Sequence, residues 1–193
     1  PDTGIALLEL HLARMKASAA TLGFAFDRHA LRNQIQALCF ELDAPARVRL
    51  LVSRSGASAL ETGPLPAPLG EPVTVAALPN PLDPSDWRLM HKTSDRGFYE
   101  DALAAARSFG ADEALLVRAD GSVTEGSWTS VFVDGPDGVL LTPPLALGLL
   151  PGVLREHLLS EGKAREAELT LYDLASGFWI GNALRGLMRA ELV

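Results

Sequence analysis

Cysteine is nearly absent from these 193 residues. The one thiol, Cys39, has no partner for an internal disulfide and, set between Leu38 and Phe40, reads as a structural thiol in an apolar setting rather than a nucleophile. One cysteine and four scattered histidines do not supply a structural zinc set, so no metal site is expected. No stretch reaches the roughly 18 consecutive apolar residues of a membrane span. The first twenty residues carry Glu9, His11, Arg14 and Lys16, unlike the apolar core of a signal peptide. A soluble, cytoplasmic chain with no membrane partner is expected. Basic runs are also lacking: the formal charge is -7, and none of the 14 arginines clusters with others, which argues against a nucleic-acid partner.

The remainder is an ordinary globular composition, 48% hydrophobic and 21% charged, long enough for one large domain or two small ones that each bury a core. Between Ile5 and Leu22, the residues Leu8, Leu12, Met15, Ala19 and Leu22 recur at helical spacing, and Gly23 ends the stripe. Asp27 is placed to cap a second helix with the apolar face Leu31, Ile35, Leu38 and Leu42. Arg47–Ser53 and Pro72–Leu78 read as strands. Pro79–Asp86, with three prolines in eight residues, suits neither helix nor central strand and reads as a linker. Residues 1–78 are then an N-terminal subdomain and 87–193 a C-terminal one.

Beyond the linker, Trp87–Lys92 reads as a short strand and Phe98–Phe109 as a helix stopped by Gly110. Glu113–Arg118, Gly126–Val133 and Val139–Leu141 are strand-like, punctuated by Asp120-Gly121 and Asp137-Gly138. A helix is expected to start near Pro151-Gly152 and run to Glu161. A strand near Ala164–Ala167, a short helix at Tyr172–Ala175 and a strand pair around Phe178–Ile180 and Gly186–Arg189 complete the chain. Helix and strand mixed in both halves give an α+β fold in two subdomains, with a cleft expected where they meet.

Lysine is the scarce reactive group. Lys16 and Lys163 read as solvated surface, whereas Lys92 ends the predicted strand just before a helix, facing the expected cleft. An amine partly desolvated there has a lowered pKa and becomes nucleophilic toward carbonyls; the competing reading is a strand-end surface lysine. Glu125 precedes a glycine at a strand start and, taken alone, is a turn residue. Gly152 opens a helix whose free N–H groups, those of Val153 and Leu154, suit a phosphate. Gly181–Gly186 is a polar turn able to offer another donor to an anion.

In order along the chain, HLARMKASA, HKTSDRGFYE, TEGSWTSVFV, LLTPPLALGLLPGVLR and AELTLYDLASGFWIGNALRG resemble the class IV aminotransferases, enzymes of fold-type IV that use pyridoxal 5'-phosphate. The HKTSDR and GNALRG forms are most similar to the 4-amino-4-deoxychorismate lyases within that family. The resemblance implies a D-amino acid aminotransferase-like fold in which Lys92 holds the cofactor and serves as catalytic acid and base. Glu125 would face the pyridine nitrogen, and Tyr99 the cofactor's phenolic oxygen. Arg14, the N–H groups of Val153 and Leu154, and the Asn182 turn would take the phosphate. It implies conversion of 4-amino-4-deoxychorismate to 4-aminobenzoate and pyruvate in folate biosynthesis, with Arg96 and Arg185 as candidates for the substrate carboxylates. It also implies a homodimer.

The alternative of the same class is an aminotransferase acting on branched-chain or D-amino acids; a non-catalytic homologue that keeps the fold is the third reading. Two departures from the family pattern are visible. Ser130 stands where most relatives have Asn, and the family's strand ahead of the first helix is either absent or outside these 193 residues.

Overall fold

The computed structural model describes residues 4–193, and the chain divides into two compact units, 1–68 and 69–193. In the first unit, helices α1 (Leu8–Leu22) and α2 (Arg28–Glu41) precede an antiparallel hairpin of β1 (Ala46–Val52) and β2 (Ser58–Pro64). Gly23 ends α1 at φ 71°, and the Asp27 carboxylate accepts from the N–H groups of His29 and Ala30, as capping chemistry dictates. Leu12, Leu31 and Ile35 form the core of this unit, with Cys39 partly buried against it. Strand β2 was not expected: its sequence, SALETGP, carries little β-branched residue content, and pairing with β1 supplies what propensity does not.

The second unit is built on one sheet in the order β5-β4-β3-β10-β9-β6-β7-β8. Its strands are β3 (Val73–Pro79), β4 (Glu113–Val117), β5 (Val123–Gly126), β6 (Ser130–Asp134), β7 (Leu140–Thr142), β8 (Ala164–Glu166), β9 (Phe178–Asn182) and β10 (Gly186–Leu192). β3 runs parallel to both β4 and β10. The strand expected at 72–78 therefore belongs here, and the division falls before it, at Pro68, rather than in the Pro79–Asp86 segment. That segment is part of the connection from β3 to β4, which runs through α3 (Trp87–Met90) and α4 (Gly97–Ser108).

β5 and β6 lie five strand positions apart in this order, about 24 Å if the sheet were flat. Residues 127–129 alone join them, and such a link reaches about 14 Å. The sheet must therefore curl on itself. Its inner face packs Val73, Val75, Leu115, Val123, Val131, Val133, Phe178, Ile180 and Met188 into one core. Outside, Ala76 and Ala114 meet Ala106 of α4, and Phe132 meets Leu158 of α5 (Val153–Ser160).

Three local expectations are corrected. Trp87–Met90 is a helical turn, not a strand: the Asp86 carboxylate accepts from Arg88 N–H at 2.9 Å and caps it. Gly126–Val133 is not one strand but is broken by the 127–129 turn. Tyr172–Ala175 forms turns rather than a helix, with Asp173 accepting from Thr170 N–H at 2.7 Å.

Candidate active site

Glu125 lies on β5, the second strand of the β4–β5 hairpin, at 4% exposure. Its Oε1 accepts the Tyr99 hydroxyl at 2.5 Å and the Leu150 N–H at 3.0 Å. Both bonds fall on one oxygen, which orients the other. Burial pushes this carboxyl up to about 7, against the opposing pull of Tyr99, the Leu150 N–H, Arg96 and Lys92. The Tyr99 phenol is pushed far upward, first by burial and then by the charge of Glu125, so it remains a donor. Tyr99 lies in the first turn of α4, and its hydroxyl donates to Glu125.

Lys92 lies just past His91, the C-cap of α3, exposed to solvent, and its charge acts on Glu125. The two residues singled out from distant segments are therefore electrostatic neighbours. Arg96, at the N-terminus of α4, donates to Ser127 O at 2.8 Å and stacks 4.6 Å from the Tyr99 ring centre. Arg185 stacks 5.4 Å from the centre of the Trp128 ring. The Asn182 side chain holds its own turn: Oδ1 accepts from Leu184 N–H at 2.9 Å and Arg185 N–H at 3.0 Å, while Nδ2 donates to Trp128 O at 3.2 Å. Residues 127–128 thus anchor Arg96, Arg185 and Asn182 together.

Val153 and Leu154 form the first turn of α5, whose N-cap, Gly152, offers no side-chain acceptor, in contrast to the aspartates that cap α2 and α3. Its leading N–H groups and positive end are therefore suited to an external anion. Gly152 is closely approached: a Cβ there would lie 2.5 Å from Ser130 Oγ. The same holds at Gly181, where a Cβ would lie 2.4 Å from Gly186 O. Ser130, the departure from the family pattern, is small enough to fit beside Gly152. Arg14 lies on α1 of the first unit, partly buried.

Sequence reasoning missed Glu113, Leu150 and Arg118. Glu113 is wholly buried on β4; Oε1 accepts from Ala114 N–H at 2.8 Å, from Ser127 N–H at 3.1 Å and from the Ser127 hydroxyl, and Oε2 accepts from Thr129 Oγ1 at 3.1 Å. As the second acid of an Asp-Glu pair at a strand start it resembles a solvated turn, and no local signal marks it otherwise.

The model of the amino-transferase class IV family matches residues 2–193. A Schizosaccharomyces pombe protein provisionally named aminodeoxychorismate lyase is 30% identical over 172 residues, 86% of this chain and 72% of that protein. A Methanocaldococcus jannaschii protein provisionally named branched-chain-amino-acid aminotransferase is 32% identical over 122 residues, 58% of this chain and 41% of that protein. Among solved structures, a provisionally named amino-acid aminotransferase from Mesorhizobium loti superposes with a TM-score of 0.87 at 39% identity, covering 97% of this chain and 92% of that one. The fold is that of the fold-type IV enzymes, shared also with a branched-chain aminotransferase from Thermoproteus uzoniensis, with a TM-score of 0.83 at 22% identity, covering 97% of this chain and 72% of that one.

Proposed function

The chain belongs to the class IV aminotransferase family of pyridoxal-phosphate-dependent enzymes, and from that premise we propose that it cleaves 4-amino-4-deoxychorismate to 4-aminobenzoate and pyruvate, a step of folate biosynthesis. The observation that carries this reading is the HKTSDR and GNALRG wording around Lys92 and Arg185, supported by the 30% identity to the fission-yeast protein named for that lyase.

The residues present fit the cofactor. A buried carboxyl with one oxygen engaged by Tyr99 and Leu150 suits a protonated ring nitrogen, whose positive charge would hold Glu125 ionised. The α5 start, with no side-chain cap, suits a phosphate at Val153 and Leu154, and Arg14 is the cationic candidate from α1. When bound, pyridoxal phosphate supplies an electron sink for the carbon bearing the substrate amine. Lys92 would hold the cofactor and then move the proton at that carbon. As the proton leaves, the carbon–oxygen bond to the enolpyruvyl group would break with its electron pair going to oxygen; the ring would become aromatic, and the released enolate would take a proton at carbon to become pyruvate. Arg96 and Arg185, both anchored at residues 127–128, would receive the two carboxylates of the substrate. Tyr99 acts through Glu125, and the Asn182 side chain keeps the 182–185 turn in shape. A cytoplasmic homodimer completes the proposal.

A second reading rests on the similarity to proteins named as aminotransferases: the same lysine and glutamate would pass the substrate amine onward instead of eliminating a leaving group. The deciding assay supplies freshly generated 4-amino-4-deoxychorismate to cofactor-loaded protein and to Lys92→Ala, following 4-aminobenzoate and pyruvate. Products that vanish with the lysine are the expected result. A cofactor band that shifts with an L- or D-amino acid, without 4-aminobenzoate, moves the assignment to an aminotransferase. A protein that takes up no pyridoxal phosphate overturns both.

A further inference from the structure

One arginine outside the residues assigned to cofactor or substrate ties together three backbone carbonyls of the second unit. Arg118 follows β4 directly and opens the turn of the β4–β5 hairpin: its N–H donates to Ser122 O at 2.8 Å, and its carbonyl accepts from Gly121 N–H at 2.9 Å. Glu125 lies on the second strand of that hairpin. The Arg118 guanidinium donates from Nε to Leu147 O at 2.9 Å, from Nη2 to Leu147 O at 2.6 Å and Gly148 O at 3.0 Å, and from Nη1 to Leu82 O. The hairpin therefore grips the 147–150 stretch at two points. Arg118 takes its carbonyls, and Glu125 takes the Leu150 N–H at 3.0 Å. The third carbonyl, that of Leu82, belongs to the proline-rich segment that runs into α3 and on to Lys92.

The junction is closely fitted. Gly148 ends a 3-10 turn, Leu145–Leu147, at φ 68°; a Cβ there would lie 2.4 Å from Pro84 O and 2.7 Å from Arg118 Nη2. Carbonyls at the end of such a turn lack intrahelical donors, and a planar guanidinium with several directed N–H groups can serve them together, whereas an ammonium acts as a point charge. The Arg118 charge also acts on Asp83, Asp120, Glu125 and Tyr99, so it bears on the Tyr99–Glu125 pair itself.

We propose that Arg118 is a positioning residue of the cofactor site: by holding the carbonyls of Leu82, Leu147 and Gly148 it keeps the Leu150 N–H on Glu125 and sets the Lys92-bearing segment in register with that carboxylate. The role rests on the reading of Glu125 and Lys92 given above. It explains why the segment that presents the α5 N–H groups and the segment that presents the amine are joined to one hairpin instead of being left as independent loops.

The test compares wild type, Arg118→Lys, Arg118→Gln and, as a control, Arg165→Gln, which removes a side chain 54% exposed and paired only with Asp137 in the described ion pairs. Two readouts are taken. Amide hydrogen exchange of the cofactor-free protein is expected to quicken at least tenfold across 145–152 in Arg118→Lys, with β9 and β10 unchanged. Pyridoxal phosphate is expected to bind at least tenfold more weakly, and the pH at which its visible band titrates is expected to move, in Arg118→Lys and further in Arg118→Gln; Arg165→Gln stays within twofold of wild type. If Arg118→Gln does not fold, Arg118→Lys decides. A folded Arg118→Lys with wild-type affinity and an unmoved band titration overturns the role, even if exchange quickens, because Arg118 is then structural alone. A wild-type protein that takes up no pyridoxal phosphate fails differently, since it removes the cofactor reading and this role with it.

Discussion

Glu113 and Glu125 are both buried, sit on adjacent strands of one hairpin, and are both pushed up to about 7 by loss of water. They differ in how their oxygens are used. Glu113 spends both on the protein, accepting from Ala114, Ser127 and Thr129, so that it holds the 127–129 turn to the strand beside it. Among the described residues, Glu125 accepts two bonds, both on Oε1. A buried carboxyl whose acceptor capacity is consumed by local backbone and hydroxyl groups is a structural fastener. One whose described donors converge on a single oxygen is the arrangement that the proposed cofactor role of Glu125 calls for. Burial and a raised pKa alone do not distinguish the two; the direction of the donors does.

Glu125→Gln is expected to have the largest effect. The amide keeps acceptors for Tyr99 and Leu150 but not the charge, so turnover is expected to fall on the order of 100- to 1000-fold. The unfolding midpoint at pH 8 should be no lower than that of wild type, because a buried charge has been removed. Near-normal steady-state kinetics would reject the electrostatic role. Glu113→Ala should do the opposite, acting mainly on stability. It strands the Ala114 N–H and the Ser127 and Thr129 hydroxyls, at about 1–3 kcal/mol each, so denaturant unfolding should show a loss of at least about 3 kcal/mol.

The pH dependence sharpens the same contrast. Because both carboxyls are raised from 4.5 to about 7, the folded protein retains protons that the unfolded chain has already released across that window. The stability these two carboxyls contribute is therefore fully present below pH 4.5 and is lost as pH rises through about 7. Glu113→Gln should flatten part of that fall in unfolding free energy measured from pH 4 to 8; superimposable curves would mean that Glu113 does not titrate there. The smallest effect is expected from Tyr99→Phe. Loss of the donor at 2.5 Å raises the proton affinity of Glu125 further, moving the acid limb of the pH–rate profile to higher pH, with roughly tenfold lower activity and a stability cost of about 1–2 kcal/mol.

Much of the second unit was legible because its signals are local. The Asp120-Gly121 and Asp137-Gly138 pairs fall in the turns after β4 and β6, and α4 and α5 lie within two residues of their expected bounds. Trp87–Met90 carries apolar side chains that suit a short strand, and the Asp86 carboxylate caps it into a helical turn instead. Arg118 was invisible for another reason: the carbonyls it holds lie at least 29 residues away, and an arginine after a strand before Asp-Gly looks like any solvated turn.

Helix periods, caps, turn pairs and the family wording around Lys92 and Glu125 were determined by the sequence itself, since each depends on residues within a turn or two of one another. Tertiary structure alone decided that β3 joins the second unit, that the sheet curls so that 127–129 can bridge β5 to β6, and that Tyr99 serves Glu125. It also brought donors to both oxygens of Glu113 and set the described donors of Glu125 on one. Desolvation and hydrogen-bond direction are set by whichever distant segments close around a side chain, and no spacing along the chain records them.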